Sequence, residues 1–332
     1  MKRRDFITLL GGAAAGWPIA ARAQRPAMPV VGFLNTYSSS DAFAQHFLAA
    51  FHRGLKQAGY IEGQNVSVEY RWAGSEYERL TALAAELVRR QVNVIVTGSA
   101  SLAGLAAKTA TTTIPIVFLM GGDPVKLGLV ASLNRPGANL TGITTLNTEI
   151  TPKRVEVLRE LVPTTTIMAV LVNPTNNPAN VEVEARQAQA AANTLGLQTI
   201  HILQASSELD LDGVFSTTIR QQAGGLVITA DTLFSGQSAE LAALASRYSV
   251  PTISPYREFV TAGGLMSYGG NVNELYRLVG VYTGRVLDGE KPADLPVQQV
   301  TNVELVINLK TARALGLKVP ISLLGRADEV IE

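Results

Sequence analysis

Val94-Ile95-Val96-Thr97-Gly98-Ser99-Ala100-Ser101 decides how the rest of the chain is read. Four apolar or β-branched residues without alternation describe a strand buried on both faces. The small polar residues after it lead into a helical pattern near 101–111, and Ile116–Leu119 supplies the next strand. Strand, tight loop, helix and strand make a βαβ unit, which pairs its strands in parallel through a right-handed crossover.

The unit recurs on both sides. Upstream, the strand Val30–Leu34 precedes Asp41–Gly59, where Phe43, Phe47, Ala50 and Leu55 recur near helical spacing. Val66–Tyr70 follows, and Ser75-x-x-Glu78 reads as a capping box that starts a helix. Downstream, the pattern predicts a helix near 125–133 and the strand Leu140–Thr144. It then restarts, with Thr151-Pro152 and Asn177-Pro178 each placing a capping residue before a helix-starting proline. Strands Ile167–Val172, Thr199–Leu203, Leu226–Thr229 and Thr252–Ser254 alternate with helices near 152–161, 179–195, 208–222 and 237–248. Beyond Gly263-Gly264 come Leu265–Tyr268, a helix near 273–288, and the short strands Pro296–Val300 and Val303–Ile307. This remainder after a finished second set means that the chain crosses back. The expected architecture is α/β, two doubly wound parallel-sheet lobes joined by a hinge. Lobe 1 takes residues 28–146 plus about 268–292, and lobe 2 takes 147–267 plus about 293–325.

Composition narrows the function. The 332 residues are 47% hydrophobic, with 28 Lys+Arg against 27 Asp+Glu, which excludes a disordered chain and gives no basic stripe for nucleic acid. There is no cysteine, so disulfides, thiolate nucleophiles and iron–sulfur clusters are excluded. Residues 1–23 read as an address: Lys2-Arg3-Arg4-Asp5-Phe6 is a twin-arginine start, Ile7 to Ala20 is uncharged, and Ala21-Arg22-Ala23 is a small-residue cleavage site. The apolar run falls short of the ~20 residues that a membrane span needs. A protein exported to the periplasm is expected, beginning at Gln24, with 24 Lys+Arg against 26 Asp+Glu and no membrane insertion of the mature chain.

Enzyme motifs are missing. No G-x-G-x-x-G follows a strand, and neither a P-loop nor a G-x-S-x-G elbow occurs. His46 and His52 lie six residues apart on a predicted helix and face different ways, so no metal and no cofactor are expected. What remains is a set of small polar loops at the carboxyl ends of strands, where open α/β sheets bind ligands. In the first lobe these carry Thr36, Tyr37 and Ser38, then Ser99, Ala100 and Ser101, then Gly122 and Asp123; in the second, Asn173 and Thr175, then Asp231, then Tyr256. Ser99–Ser101 offers hydroxyls and helix N–H groups to a carboxylate. Asp231 offers a partner to an ammonium, and Tyr37 and Tyr256 offer rings to an apolar side chain. Read singly, the serines and Asp123-Pro124 are also ordinary helix caps.

Three stretches carry a resemblance: Phe118-Leu119-Met120-Gly121-Gly122-Asp123-Pro124-Val125-Lys126-Leu127-Gly128-Leu129-Val130, Asn134–Gly142, and Ala314-Leu315-Gly316-Leu317 through Arg326–Glu332. With the turns Gly59–Asn65 and Gly263–Gly269, they resemble the ABC-transporter substrate-binding proteins of the tryptophan/tyrosine-type group. The resemblance spans essentially the whole chain after the address. It implies a type I periplasmic-binding-protein-like fold, two lobes joined by three crossovers and closing on a small solute. It further implies that Ser99, Ala100, Ser101 and the Gly121–Asp123 turn meet an amino acid's charged end groups, with Asp231 joining from the other lobe. The first loop departs from the pattern: aromatic-amino-acid binders tend to carry a His-Pro segment there, and this chain has Tyr37-Ser38-Ser39-Ser40-Asp41. The expected function is an extracytoplasmic solute receptor, without enzymatic activity, that serves a membrane permease. Its expected solute is an amino acid or small carboxylate. A sensory ligand-binding subunit and an exported α/β enzyme are the alternatives.

Overall fold

A computed structural model describes residues 28–332 apart from Ser99, Leu146, Thr148, Asn177 and Thr301. The proposed address with its cleavage site, the Ser99 ligand role and the Asn177 cap lie outside the described residues.

The strands form two sheets. The first contains β1 (Val30–Asn35), β2 (Ser67–Trp72), β3 (Val94–Thr97), β4 (Ile116–Met120), β5 (Leu140–Thr144) and β11 (Gln298–Gln299), in the order β11-β5-β4-β3-β1-β2. All of its pairings are parallel. The second contains β6 (Ile167–Val172), β7 (Thr199–Gln204), β8 (Leu226–Ile228), β9 (Thr252–Ser254), β10 (Met266–Gly270), β12 (Val303–Asn308) and β13 (Glu329–Ile331), in the order β13-β12-β10-β9-β8-β6-β7. Only β10 with β12 runs antiparallel among its described pairs. The central strands β3, β4 and β8 are buried along their length, as strands covered by helices on both faces must be.

The helix Val272–Leu287 belongs to the first lobe although it follows β10 of the second. Its Val279 and Tyr276 enter the core with Phe33, Phe47 and Phe51, and Tyr276 stacks on Phe47 at 5.1 Å. The helices Ala42–Gln57 and Val272–Leu287 touch through glycine: a Cβ on Gly54 would run into Arg277 O, and one on Gly280 into Phe51 O. Three crossovers therefore join the lobes, at 145–150, at Asn271 and at 300–302. They run side by side, since a Cβ on Gly270 would lie 3.7 Å from Thr145 Cγ2 and 4.0 Å from Asn302 O.

The structure moves several expected boundaries. The second-lobe strand β10 extends to Gly270, so the chain passes to the first lobe at Asn271 rather than near 268. It stays there until β11 has paired with Ile143 and Thr144, past the expected return at 293, and β13 carries the second sheet beyond 325. No helix forms at 125–133, because Gly128 takes φ 67° and Asp123 closes a turn on Val125 N and Lys126 N. Ser75 does not cap a helix: it sits at φ 65°, and a 3₁₀ turn at Tyr77–Arg79 precedes the helix Leu80–Arg89. Thr151 lies inside the first turn of the helix Thr151–Leu161 rather than capping it.

Candidate ligand-binding site between the lobes

The carboxyl ends of both sheets face each other across a cavity. Ala100, Ser101, Leu119, Met120 and Gly121 form its first-lobe wall, and Asn176, Ala230, Asp231, Thr232 and Tyr256 form the opposite wall. Thr145, Asn147, Val272 and Leu275 close the end where the crossovers pass.

The first-lobe wall rests on the strand–loop–helix unit from which the sequence was read. β3 ends at Thr97 and the ten-residue helix Ser101–Ala110 begins at the cavity, with Ala100 as its cap residue. Alanine has no side chain to accept the first N–H groups, so the positive end of the helix is presented to the cavity. Thr145 Oγ1, at the end of β5, is buried without a hydrogen-bond partner among the described residues.

The second-lobe wall is built around Asp231, 4% exposed and following β8. Its Oδ1 accepts from Asn173 Nδ2 at 3.0 Å and from Leu233 N at 2.8 Å. Its Oδ2 accepts from Asn176 Nδ2 at 2.8 Å and from Tyr77 Oη at 2.9 Å. Burial raises the Asp231 carboxyl above its ordinary range, and the hydrogen bonds pull it back toward the charged form. Tyr77 comes from the first lobe, so this carboxylate also ties the lobes together. Burial pushes the Tyr77 phenol well up, and the neighbouring Asp231 charge pushes it further. A second tie joins Tyr37 Oη to Ser235 Oγ at 2.9 Å. The Phe43 ring meets Tyr256 edge-on at 5.9 Å.

Beneath this wall lies a pair that sequence reading missed. Arg154 is fully buried, and its guanidinium donates to Asn147 and to Tyr268 O. Glu184, 3% exposed, neighbours it electrostatically; burial lifts its carboxyl to about 8 despite the pull of Arg154, and lowers Arg154 to about 10. A signal was present: Arg154 falls on one helical stripe with Leu158 and Leu161, and Glu184 on one with Ala188 and Ala192.

Of the expected site residues, Ala100, Ser101, Asp231 and Tyr256 come together around the cavity. Asn173 stands behind Asp231, and Thr175 bonds to Asn173 Oδ1 at 2.7 Å, away from the cavity. Tyr37 packs against Phe43 and serves the tie to Ser235 rather than the cavity wall. Thr36 is buried below that loop, and Ser38 turns it through a bond to Ser40. Gly122 accepts from Thr144 Oγ1 at 2.9 Å, and Asp123 is occupied by its own turn, so their neighbour Gly121 is the one that reaches the cavity. Asn176 and Thr232 belong to the loops that sequence reading selected, whereas Asn147, Val272 and Leu275 lie in or beside crossovers with no motif to mark them.

A family model described as ABC transporter substrate binding protein matches residues 39–331. A tyrosine-binding protein of Clostridioides difficile (strain R20291) is 25% identical over 268 residues, which is 81% of this chain and 76% of that protein. The crystal structure of a conserved domain protein from Vibrio cholerae O1 biovar eltor superposes with a TM-score of 0.82 at 25% identity, over 91% of this chain and 99% of that one. The ABC domain from Streptococcus pneumoniae in complex with L-Trp gives a TM-score of 0.80 at 23% identity, again over 91% and 99%. Among the described residues, no helix is long and apolar enough to cross a membrane.

Proposed function

Since the chain belongs to the family of ABC transporter substrate binding proteins, we propose that it captures a small zwitterionic or carboxylate solute between its lobes outside the cytoplasm and delivers it to an ABC permease. The observation that carries this reading is the opposed chemistry of the cavity walls. A helix end whose cap residue, Ala100, has no polar side chain faces it from one lobe, and a buried carboxylate lines it from the other. An amino acid presents an acceptor and a donor at its two charged ends and suits that pairing. The tyrosine and L-Trp named for the two relatives make aromatic amino acids the first solutes to test, and Leu119, Met120, Val272 and Leu275 supply apolar surface for a side chain. All four bonds on Asp231 come from the protein, so an ammonium would exchange with one of them, and Asn176 is the most accessible donor.

Binding acts by biasing an open–closed equilibrium, since the solute touches both lobes only when they are together. The permease is the partner, and the solute leaves chemically unchanged. Residues 1–23 direct export by the twin-arginine route and are removed after Ala23.

A thermal-shift screen of amino acids, then of small carboxylates, tests the reading. At 100 times the dissociation constant a ligand adds about 2.7 kcal/mol of stability. A true solute also compacts the protein in solution scattering and is recovered intact after long incubation. A solute that is consumed would transfer the case to an enzyme, and stabilisation without compaction would remove the closure mechanism. Arg3-Arg4→Lys-Lys is expected to hold precursor in the cytoplasm, and normal export of that variant would remove the twin-arginine route.

A further inference from the structure

Asn147 sits on the first crossover, buried and lining the cavity, and both of its acceptors are taken by one side chain. Arg154 Nη1 donates to Asn147 O at 3.1 Å, and Nη2 donates to Asn147 Oδ1 at 3.1 Å. Nη1 also reaches Thr151 Oγ1 at 3.4 Å, and Nε donates to Tyr268 O at 2.8 Å. A guanidinium has donors and no acceptor. The amide of Asn147 therefore has one allowed orientation, with Oδ1 toward Arg154 and Nδ2 turned away. No described residue accepts from that Nδ2.

We propose that Arg154 is a positioning residue that makes Asn147 an obligate hydrogen-bond donor to the solute, so that the cavity selects ligands carrying a carboxylate. This rests on the reading of the cavity as the solute site and names a determinant of its specificity. A free asparagine amide would rotate to offer donor or acceptor as the ligand required. Clamped at Oδ1, it offers donors alone, on the same cavity as the N-terminal end of the helix Ser101–Ala110. The fork of an arginine is suited to this task because two N–H groups in fixed geometry read the carbonyl and the amide oxygen of one residue together. A lysine ammonium has no such fork.

The test is calorimetric titration of the protein with L-tryptophan, L-tryptophanamide and tryptamine, the last two lacking the carboxylate. The wild type is expected to favour L-tryptophan at least about tenfold, the order of one charge-assisted hydrogen bond. Asn147→Asp keeps the shape and still accepts from Arg154, but it meets the ligand with a carboxylate; the preference is expected to vanish or invert. Arg154→Lys is expected to reduce it by releasing the amide. A purely structural role would weaken all three ligands alike and leave their ratio unmoved, so an unchanged ratio in Asn147→Asp overturns the proposal while the solute reading stands. Should Arg154→Lys fail to fold, the isosteric Asn147→Asp carries the test. Binding of an amino acid and its amide with equal affinity by the wild type also overturns the proposal, and only if no amino acid or small carboxylate binds does the solute reading fail and this proposal with it.

Discussion

The two walls of the cavity solve the same problem differently. The first-lobe wall presents backbone and small side chains: a helix end behind Ala100, the Gly121 turn, and Leu119 and Met120 at the end of β4. Beneath it lies an aromatic and aliphatic core, where Phe33, Phe47 and Tyr276 pack without charge. The second-lobe wall presents Asp231 and Thr232 over a buried polar layer that includes Asn173, Glu184 and Arg154. Apolar packing is tolerant and non-directional, while a buried charge is costly unless every partner is in place. The first wall is thereby preformed whatever the other lobe does. The second is complete only when Tyr77 arrives from the first lobe.

The largest expected difference between the walls is in their response to pH. Burial lifts the Glu184 carboxyl to about 8 in the folded protein, whereas an unfolded glutamate releases its proton near 4.5. Between these values the native state binds the extra proton, so stability should fall as pH rises, by up to about 1.4 kcal/mol per pH unit. Glu184→Gln is expected to flatten that part of the curve in urea titrations from pH 5 to 8. An equal slope in both proteins would place the titration elsewhere.

Next in size is Asp231→Ala. It leaves Asn173, Asn176, Tyr77 and Leu233 N without their acceptor, an expected loss of about 2–5 kcal/mol by denaturant unfolding. The first-lobe change Ser101→Ala, on the other wall, is expected to cost less than half as much. Comparable losses would erase the contrast between the walls.

Tyr77→Phe probes the tie directly. It removes the donor to Asp231 Oδ2 and the contact to Thr232 Oγ1 at 2.6 Å, so about 1–3 kcal/mol of closed-state preference should go. Solution scattering without ligand should then report a larger radius, and an unchanged profile would show that this bond does not govern closure. Tyr37→Phe, which breaks the neutral bond to Ser235, should move the same profile in the same direction by about 0.5–1.5 kcal/mol.

The alternation of β-branched runs with helical spacing led to the two sheets, because burial on both faces leaves its mark on every central strand. The errors fell where backbone conformation overrode side-chain pattern. Ser75 adopts φ 65° and stops the helix that its capping box suggested, and Gly128 at φ 67° turns a stretch whose apolar spacing looked helical. Ala100, Ser101, Asp231 and Tyr256 were legible as cavity residues because strand ends converge by topology. Asn147 was not, since it lies on a crossover without a motif and its amide is held by a guanidinium seven residues away on another element. Arg154 and Glu184 were legible only as charges on apolar stripes, and a pattern of solvated helix faces hides two such residues easily.

The interleaving of the lobes bears on how the protein is made. Leaving the ribosome in order, residues 28–144 supply five strands of the first sheet but neither the helix Val272–Leu287 nor β11. Until those residues emerge, Phe47, Phe51 and Ile143 have no cover from Tyr276, Val279 and Leu295. The first lobe can finish only after β6 to β10 of the second have been made, and the second in turn waits for β12 and β13, so each half is held open by chain that follows the other. A fragment ending at residue 146 should for that reason be sticky and unfinished, and a peptide spanning 271–300 should rescue it in trans.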